Sequence, residues 1–302
     1  MVEHPSLVVE RDVLQRLRQI RALDPQDTVG LSRFIQEIVE LASGLRGASL
    51  LHQPPHSIPV PADTKFSYTQ LQTYRTCPMK YQYSYIYKIP VPPTPQMVFG
   101  MDLHTCLEDF FRRRIKGETL FLEDLLAHFR RLAVPGRYGD RLQDQEYRRW
   151  GEELLTAFYQ VHGGTFPTPL FVEKAFSLRL GDAWIRGVVD RIDPLQGGGV
   201  EIIDYKSGKP KEEADSDEQL QLRLYAIASK EVFGLQPKRV SFYYLRNNQK
   251  LSFEQKDDTL EATKGQIREL IDEIRSGDFS PRPSVMKCRW CDFKNLCPAS
   301  VV

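Results

Sequence analysis

Apolar positions recur at helical spacing over residues 9–46: Val13, Leu14, Leu17 and Ile20, then Leu31, Phe34, Ile35, Ile38 and Val39. The polar, proline-containing stretch 52–64 breaks that spacing and reads as a linker. It sets an N-terminal helical segment, residues 1–60, apart from a second domain over residues 61–302. Ser67-Tyr68-Thr69-Gln70 has the form of a capping box opening a helix that Cys77-Pro78 ends. Four prolines between Ile89 and Pro95 exclude a regular element there. Helical spacing returns over 97–115, with Leu103, Leu107, Phe110 and Phe111 on the apolar side. Two further helices are expected over 120–132 and 145–161.

After Pro169 the pattern shifts to alternation. Residues 171–180, 184–192 and 200–205 read as strands, the first two a hairpin turning at Gly181-Asp182. A helix over 219–233, strands over 239–245 and 251–255, and a last helix over 260–276 follow. The central order of helix, three strands, helix, strand predicts an α/β layered core with helical N-terminal additions.

The 302 residues allow two domains or one decorated domain. With 41% hydrophobic and 27% charged residues, wholesale disorder is excluded. No apolar run reaches the ~18 residues of a membrane helix. Glu10, Arg11 and Asp12 interrupt any signal-like core. The expectation is a soluble, cytoplasmic protein with no membrane partner. A formal charge of +1 gives no hint of nucleic acid, so any such binding must come from local patches.

The five cysteines argue for metal ligation or isolated thiols rather than disulfides in a reducing compartment. Cys288-x-x-Cys291-x5-Cys297 is a compact ligand spacing that needs a fourth partner, and Cys77 stands far upstream at a helix end. On chemistry alone, structural zinc and an iron–sulfur cluster are close rivals, because both accept four thiolates. Cys106 has no partner at metal spacing and reads as a small apolar core residue.

The third predicted strand ends Glu201-Ile-Ile-Asp204-Tyr205-Lys206, and alternation puts Asp204 and Lys206 on one face. The second carries Asp190 and Asp193. If the two strands are neighbours, Asp190 and Asp204 converge within reach of one metal ion. Two carboxylates and a lysine make a poor structural cluster but suit phosphodiester hydrolysis. The carboxylates hold Mg²⁺ or Mn²⁺, hard cations that prefer oxygen. Lys206 orients or deprotonates the attacking water and offsets developing charge. An Asp-x-Lys at a strand end is also common outside active sites. Asp193-Pro194 reads as turn chemistry rather than ligand. Lys206-Ser-Gly208-Lys209-Pro210 is no phosphate loop: Ile203 stands where its first glycine belongs, and no Ser/Thr follows Lys209.

Gly187-Val-Val-Asp190-Arg-Ile-Asp193, Ile203-Asp204-Tyr-Lys206-Ser-Gly208 and Gln221-Leu-Arg-Leu-Tyr225 resemble, in order, the motifs of RecB-type nucleases of the PD-(D/E)XK, restriction-endonuclease-like superfamily. Phe99-Gly100-Met-Asp-Leu-His104 resembles the Gly-x-x-x-His helix of the same group. The resemblance implies a restriction-endonuclease-like core with His104, Asp190, Asp204 and the Tyr205 carbonyl as metal ligands. Lys206 would be the catalytic lysine, with Gln221 and Tyr225 supporting the site. Tyr74-Arg-Thr-Cys77-Pro-Met-Lys-Tyr81 and Cys288-Arg-Trp-Cys291 resemble the iron–sulfur staple of helicase-associated and CRISPR-associated members. That likeness implies a [4Fe–4S] cluster on Cys77, Cys288, Cys291 and Cys297. The staple would close a loop of roughly 210 residues, worth about 5 kcal/mol by the loop-entropy model for crosslinks.

The activity so implied is DNA hydrolysis, expected to be exonucleolytic, in repair or recombination beside or as part of a helicase. The alternatives are a CRISPR-adaptation nuclease and a catalytically silent DNA-binding scaffold. Six of the 13 tyrosines fall between Tyr68 and Tyr87, interleaved with Arg75, Lys80 and Lys88. Such a mixture suits single strands or single-stranded ends, although Tyr74 and Tyr81 belong to the pattern around Cys77. Of the basic runs, Lys206, Lys209 and Lys211 adjoin the expected site, whereas Arg112–Lys116 reads as a solvated face.

Overall fold

The computed structural model describes residues 60–61, 63–214 and 216–302. The helices expected over 9–46 lie outside the described residues. The elements run β1 (Lys65–Phe66), α1 (Tyr68–Thr76), α2 (Pro78–Tyr81), a π-helical turn (Gln82–Ile86), α3 (Pro95–Ile115), α4 (Leu122–Leu132) and α5 (Arg141–Val161). Then come β2 (Phe171–Leu180), β3 (Ala183–Pro194), β4 (Val200–Lys206), α6 (Ser216–Glu231), β5 (Pro237–Tyr244), β6 (Gln249–Glu254), α7 (Asp257–Arg275) and α8 (Val285–Arg289). This is the mixed α/β core with helical additions that the periodicity predicts.

The chain forms two compact units, one of Ala62–Gln72 and Pro92–Asp272, the other including Thr73–Val91 and Glu273–Val302. In the larger unit, β2 and β3 form the hairpin, paired from Phe171↔Ile192 to Leu180↔Ala183. Gly181, at φ 64, takes the left-handed position that its two-residue turn requires. The other edge of β3 is shared. β1 pairs with it in parallel near its start, at Lys65↔Trp184, and β4 antiparallel at its end, from Arg191↔Ile203 to Pro194↔Val200. β5 lies parallel to β4, and β6 antiparallel to β5.

One sequence expectation is corrected here. Asp193-Pro194 is not the turn: the ladder continues through Asp193↔Glu201 and Pro194↔Val200. Asp193 is buried and takes two hydrogen bonds from the Arg191 guanidinium, at 2.7 and 2.5 Å. That pairing satisfies a carboxylate that a turn would have left to solvent. The turn begins one residue later, where Gly197, Gly198 and Gly199 all adopt positive φ.

Helix α3 positions one wall of the site. Thr94 caps it by accepting the Met97 N–H at 3.3 Å, and Pro95 supplies a preset φ at its start. Its stripe of Phe99, Leu103, Leu107, Phe110 and Phe111 is buried with Phe129, Leu155, Phe158, Ile203 and Tyr205. Full burial of each such side chain contributes about 1.5–3 kcal/mol, so α3 is anchored firmly on the sheet.

The smaller unit has an aromatic centre. Tyr81 stacks on Phe279 at 5.9 Å and meets Tyr74 edge-on at 5.7 Å. The Tyr74 hydroxyl contacts the carbonyls of Glu273 (3.2 Å) and Asp278 (2.8 Å). These tyrosines are packing residues. Among the described residues no helix is long and apolar enough to cross a membrane.

Candidate active site

Three carboxylates stand in one row across the sheet. Val172 faces Arg191 and Lys174 faces Val189, so Glu173 comes opposite Asp190. The ladder between β3 and β4 begins at Arg191↔Ile203, so Asp190 and Asp204 occupy the next rung, where the strands part. Asp190 and Asp204 are both buried. Alternation along β4 then brings Lys206 to the same face, with its Nζ 2.7 Å from Asp204 Oδ2.

His104 enters from α3 and lies between two predicted donors. Its Nε2 is 3.1 Å from the Tyr205 carbonyl, and its Nδ1 is 3.4 Å from Asp190 Oδ2. A carbonyl only accepts, so that contact assigns the ring proton to Nε2 in the neutral imidazole. Burial lowers the His104 pKa, which favours that neutral form. The Nδ1 lone pair then faces a carboxylate oxygen, an arrangement of two acceptors that calls for a cation.

Helix α6 braces the other side. The Lys206 ammonium donates to Gln221 Oε1 at 3.0 Å. The Gln221 amide nitrogen donates to Asp204 Oδ1 and to the Tyr225 hydroxyl, each at 3.0 Å. Lysine only donates and an ionised carboxylate only accepts, so the network fixes which way this amide points. The i,i+4 spacing of Gln221 and Tyr225 places both on the site-facing side. Lys206 Nζ also lies 4.7 Å from the centre of the Phe242 ring.

The electrostatics match a cation site. Burial, then the Asp204 charge, raises the Asp190 pKa well above its ordinary value, opposed by the Tyr205 N–H. Burial, then Glu108, raises Glu173 to about 7. Asp204 Oδ2 is buried without a properly oriented hydrogen bond, despite the nearby lysine. Among the described residues, His104, Glu173 and Asp190 bring their donor atoms within 4.8 Å of one another. Carboxylate oxygens, a carbonyl and one imidazole fit a hard divalent ion such as Mg²⁺ or Mn²⁺.

Glu173 is absent from the sequence-predicted donors, yet its position was available. A two-residue turn at Gly181-Asp182 fixes the hairpin register, and that register sets Glu173 against Asp190. Its φ of 46 is rare for a non-glycine residue in a strand and costs of order 1–3 kcal/mol, as strained residues at functional sites do.

In the smaller unit, Cys77, Cys288, Cys291 and Cys297 line one cavity of about 250 Å³. A single liquid water occupies roughly 30 Å³, so the space exceeds that of one small ion. Cys297 is pushed up by burial first, with the other three sulfurs adding to the shift. Four thiols thus share one field, and the donor set fits a thiophilic centre. Cys106 is fully buried in the core, and burial raises its thiol to about 12, in keeping with a packing role.

Residues 65–298 match the PD-(D/E)XK nuclease superfamily model. Gene 69 protein of Mycobacterium phage L5 is 22% identical over 283 residues, spanning 77% of this chain and 95% of the phage protein. Two solved structures are similar. The crystal structure of SSO0001 shows TM-score 0.39 and 17% identity, covering 88% of this chain and 98% of that one. A proposed exonuclease from Eubacterium rectale shows TM-score 0.47 and 10% identity, covering 78% and 88%. With that family match spanning the sheet, the carboxylate row and the cysteine cavity, the chain belongs to the PD-(D/E)XK nuclease superfamily.

Proposed function

We propose that the protein is a RecB-type deoxyribonuclease that hydrolyses phosphodiester bonds from DNA ends with the help of Mg²⁺ or Mn²⁺. The observation that carries this reading is the carboxylate row with His104 and the Tyr205 carbonyl on one side and Lys206 on the other. His104, Asp190, Asp204 and the Tyr205 carbonyl would hold the metal, with Glu173 as an added donor. A bound divalent ion lowers the pKa of water and neutralises charge at the scissile phosphate. Lys206 donates to the attacking water and offsets negative charge on the phosphate. Gln221 fixes Lys206 relative to Asp204, and Tyr225 fixes Gln221.

The four cysteines support a [4Fe–4S] cluster. Their sulfurs line one cavity, and the two runs that carry them resemble the iron–sulfur staple of related nucleases. The motif order supports a module acting beside a helicase in DNA repair or recombination, with residues 1–60 as a separate N-terminal segment and single-stranded ends as the preferred substrate.

The test is digestion of end-labelled linear and covalently closed circular DNAs, single- and double-stranded, by anaerobically purified protein with Mg²⁺, Mn²⁺ or EDTA. Metal-dependent shortening of linear DNA, lost in Asp204→Ala and Lys206→Ala, is expected. Cleavage in EDTA, or full activity of Asp204→Ala, sinks the mechanism. Degradation of circles at the same rate sinks the exonuclease assignment. A brown preparation absorbing near ~400 nm is expected for the cluster. Colourless protein with stoichiometric zinc overturns it.

A further inference from the structure

Beyond the donors and Lys206, the same end of the sheet carries a cation with no anionic partner among the described residues. β5 ends opposite Lys206 at Tyr244, and the next residue, Leu245, donates its N–H to the Lys206 carbonyl at 2.9 Å. The chain is thereby held against the end of β4, and Arg246 is the next residue along it. Arg246 Nε donates to the carbonyl of Ser207, the residue after Lys206, at 3.3 Å. The guanidinium carbon sits 4.4 Å from the centre of the Trp150 ring.

Trp150 is itself immobilised: its ring stacks on the buried Phe99 at 4.9 Å and packs near Tyr147. Arg246 is exposed, yet both its stem and its plane are held. Among the described residues its two terminal nitrogens have no protein acceptor, and no carboxylate pairs with it. A planar, permanently charged fork held in this way is pre-organised for a bidentate oxyanion. A surface arginine that served only to tie Trp150 down would not also need its Nε fixed on the carbonyl of the residue that follows Lys206.

We propose that Arg246, seated on Trp150, forms a phosphate subsite that binds a backbone phosphodiester of the DNA strand next to the scissile one. This rests on the nuclease reading for the identity of the strand. Arg246 is a positioning residue: it sets the register of the strand and touches no reacting atom.

The test uses the full-length protein and a labelled single-stranded 20-mer, with Ca²⁺ in place of Mg²⁺, from 50 to 200 mM NaCl. Arg246→Ala and Arg246→Gln are expected to weaken binding about tenfold at low salt. They should also flatten the plot of log affinity against log salt by about 0.7, the loss of one single-strand phosphate contact. Arg246→Lys keeps the charge and the slope but loses part of the affinity, because lysine lacks the fork. In Mg²⁺, KM rises in Arg246→Gln while kcat stays within about twofold, and the unfolding midpoint of Arg246→Lys is unchanged. A salt slope in Arg246→Gln equal to that of the wild type overturns the subsite, as does wild-type protein that binds no DNA. If the wild type binds without cleaving in Mg²⁺ or Mn²⁺ and the slope still falls in Arg246→Gln, the subsite stands and the hydrolytic reading falls.

Discussion

Asp190 and Tyr205 are locked together through the main chain: Asp190 Oδ2 accepts the Tyr205 N–H at 2.8 Å. The carbonyl of that same tyrosine faces His104 Nε2 at 3.1 Å. One residue of β4 therefore fixes two of the proposed donors by its backbone alone. Its side chain does something else. The Tyr205 hydroxyl accepts from Arg191 Nη1 at 3.0 Å, inside a buried group that also contains Asp193.

This division predicts that Tyr205→Phe separates stability from activity. The carbonyl and N–H persist, so cleavage in Mn²⁺ is expected to stay within about threefold of the wild type. Arg191 loses an acceptor in a buried place, which costs about 1–3 kcal/mol, read as a lower midpoint in urea. Asp190→Asn should do the opposite, folding at least as well and losing nearly all cleavage. Loss of activity in Tyr205→Phe at unchanged stability contradicts the backbone assignment.

Glu173 gives a prediction of opposite sign for the metal-free and metal-bound protein. Its folded pKa of about 7 lies above the ordinary carboxylate value, with burial the main cause. The contribution of a raised carboxylate is present below the unfolded pKa and declines as pH rises, here between about 4.5 and 7. At pH 8 the metal-free protein carries the cost of the ionised group, on the order of 1–3 kcal/mol once solvent screening of this part-exposed side chain is allowed for. Glu173→Gln should then melt higher in EDTA at pH 8, with little difference at pH 4.5. The same change should weaken Mn²⁺ binding measured by calorimetry. A lower melting point in EDTA at pH 8 counts against the carboxylate-row account.

Much of this was legible before the fold was known, because strands and motifs obey short-range rules. Alternation along 200–206 put Asp204 and Lys206 on one face, and they meet at 2.7 Å. The i,i+4 spacing tied Gln221 to Tyr225. Cys106 is the core residue its isolation implied. What escaped depended on pairing between distant segments. Glu173 acquires meaning only opposite Asp190, and Asp193 only once Arg191 folds back along its own strand to hold it. Arg246 looks like any charged loop residue until α5 brings Trp150 beneath it.

His162 supplies a pH dependence that is separate from the metal donors. It caps α5, with its Nδ1 2.8 Å from the Phe158 carbonyl and its ring stacked on Phe166 at 4.8 Å. Burial lowers its pKa below the ordinary histidine value. A lowered histidine stabilises fully above its unfolded pKa of about 6.5, and that contribution is lost as pH falls through the folded value. The unfolding midpoint of the wild type should therefore fall from pH 7 to pH 5 more steeply than that of His162→Phe, which keeps the stacking and cannot take a proton. Parallel pH profiles for the two proteins would remove His162 from the account.

Gly151 tests the packing that holds α3 in place, and two effects of comparable size compete there. It lies inside α5, where alanine is favoured over glycine by about 1 kcal/mol on helix propensity. A Cβ at this position, however, would come 2.5 Å or closer to two ring atoms of Phe129. Phe129 is fully buried and meets Phe99 edge-on, so its ring has little room to retreat. Overpacking of this kind costs typically about 1–3 kcal/mol, which outweighs the propensity gain. Gly151→Ala should accordingly lower the urea midpoint even though it improves the helix. Placed in a Phe129→Leu background, where the ring is gone, the same substitution should become neutral or stabilising. The coupling between the two positions then exceeds about 1 kcal/mol, as expected for residues in direct contact. Additive effects would mean that α5 has shifted away from α4, and that the close approach at Gly151 does not set the packing beneath Phe99.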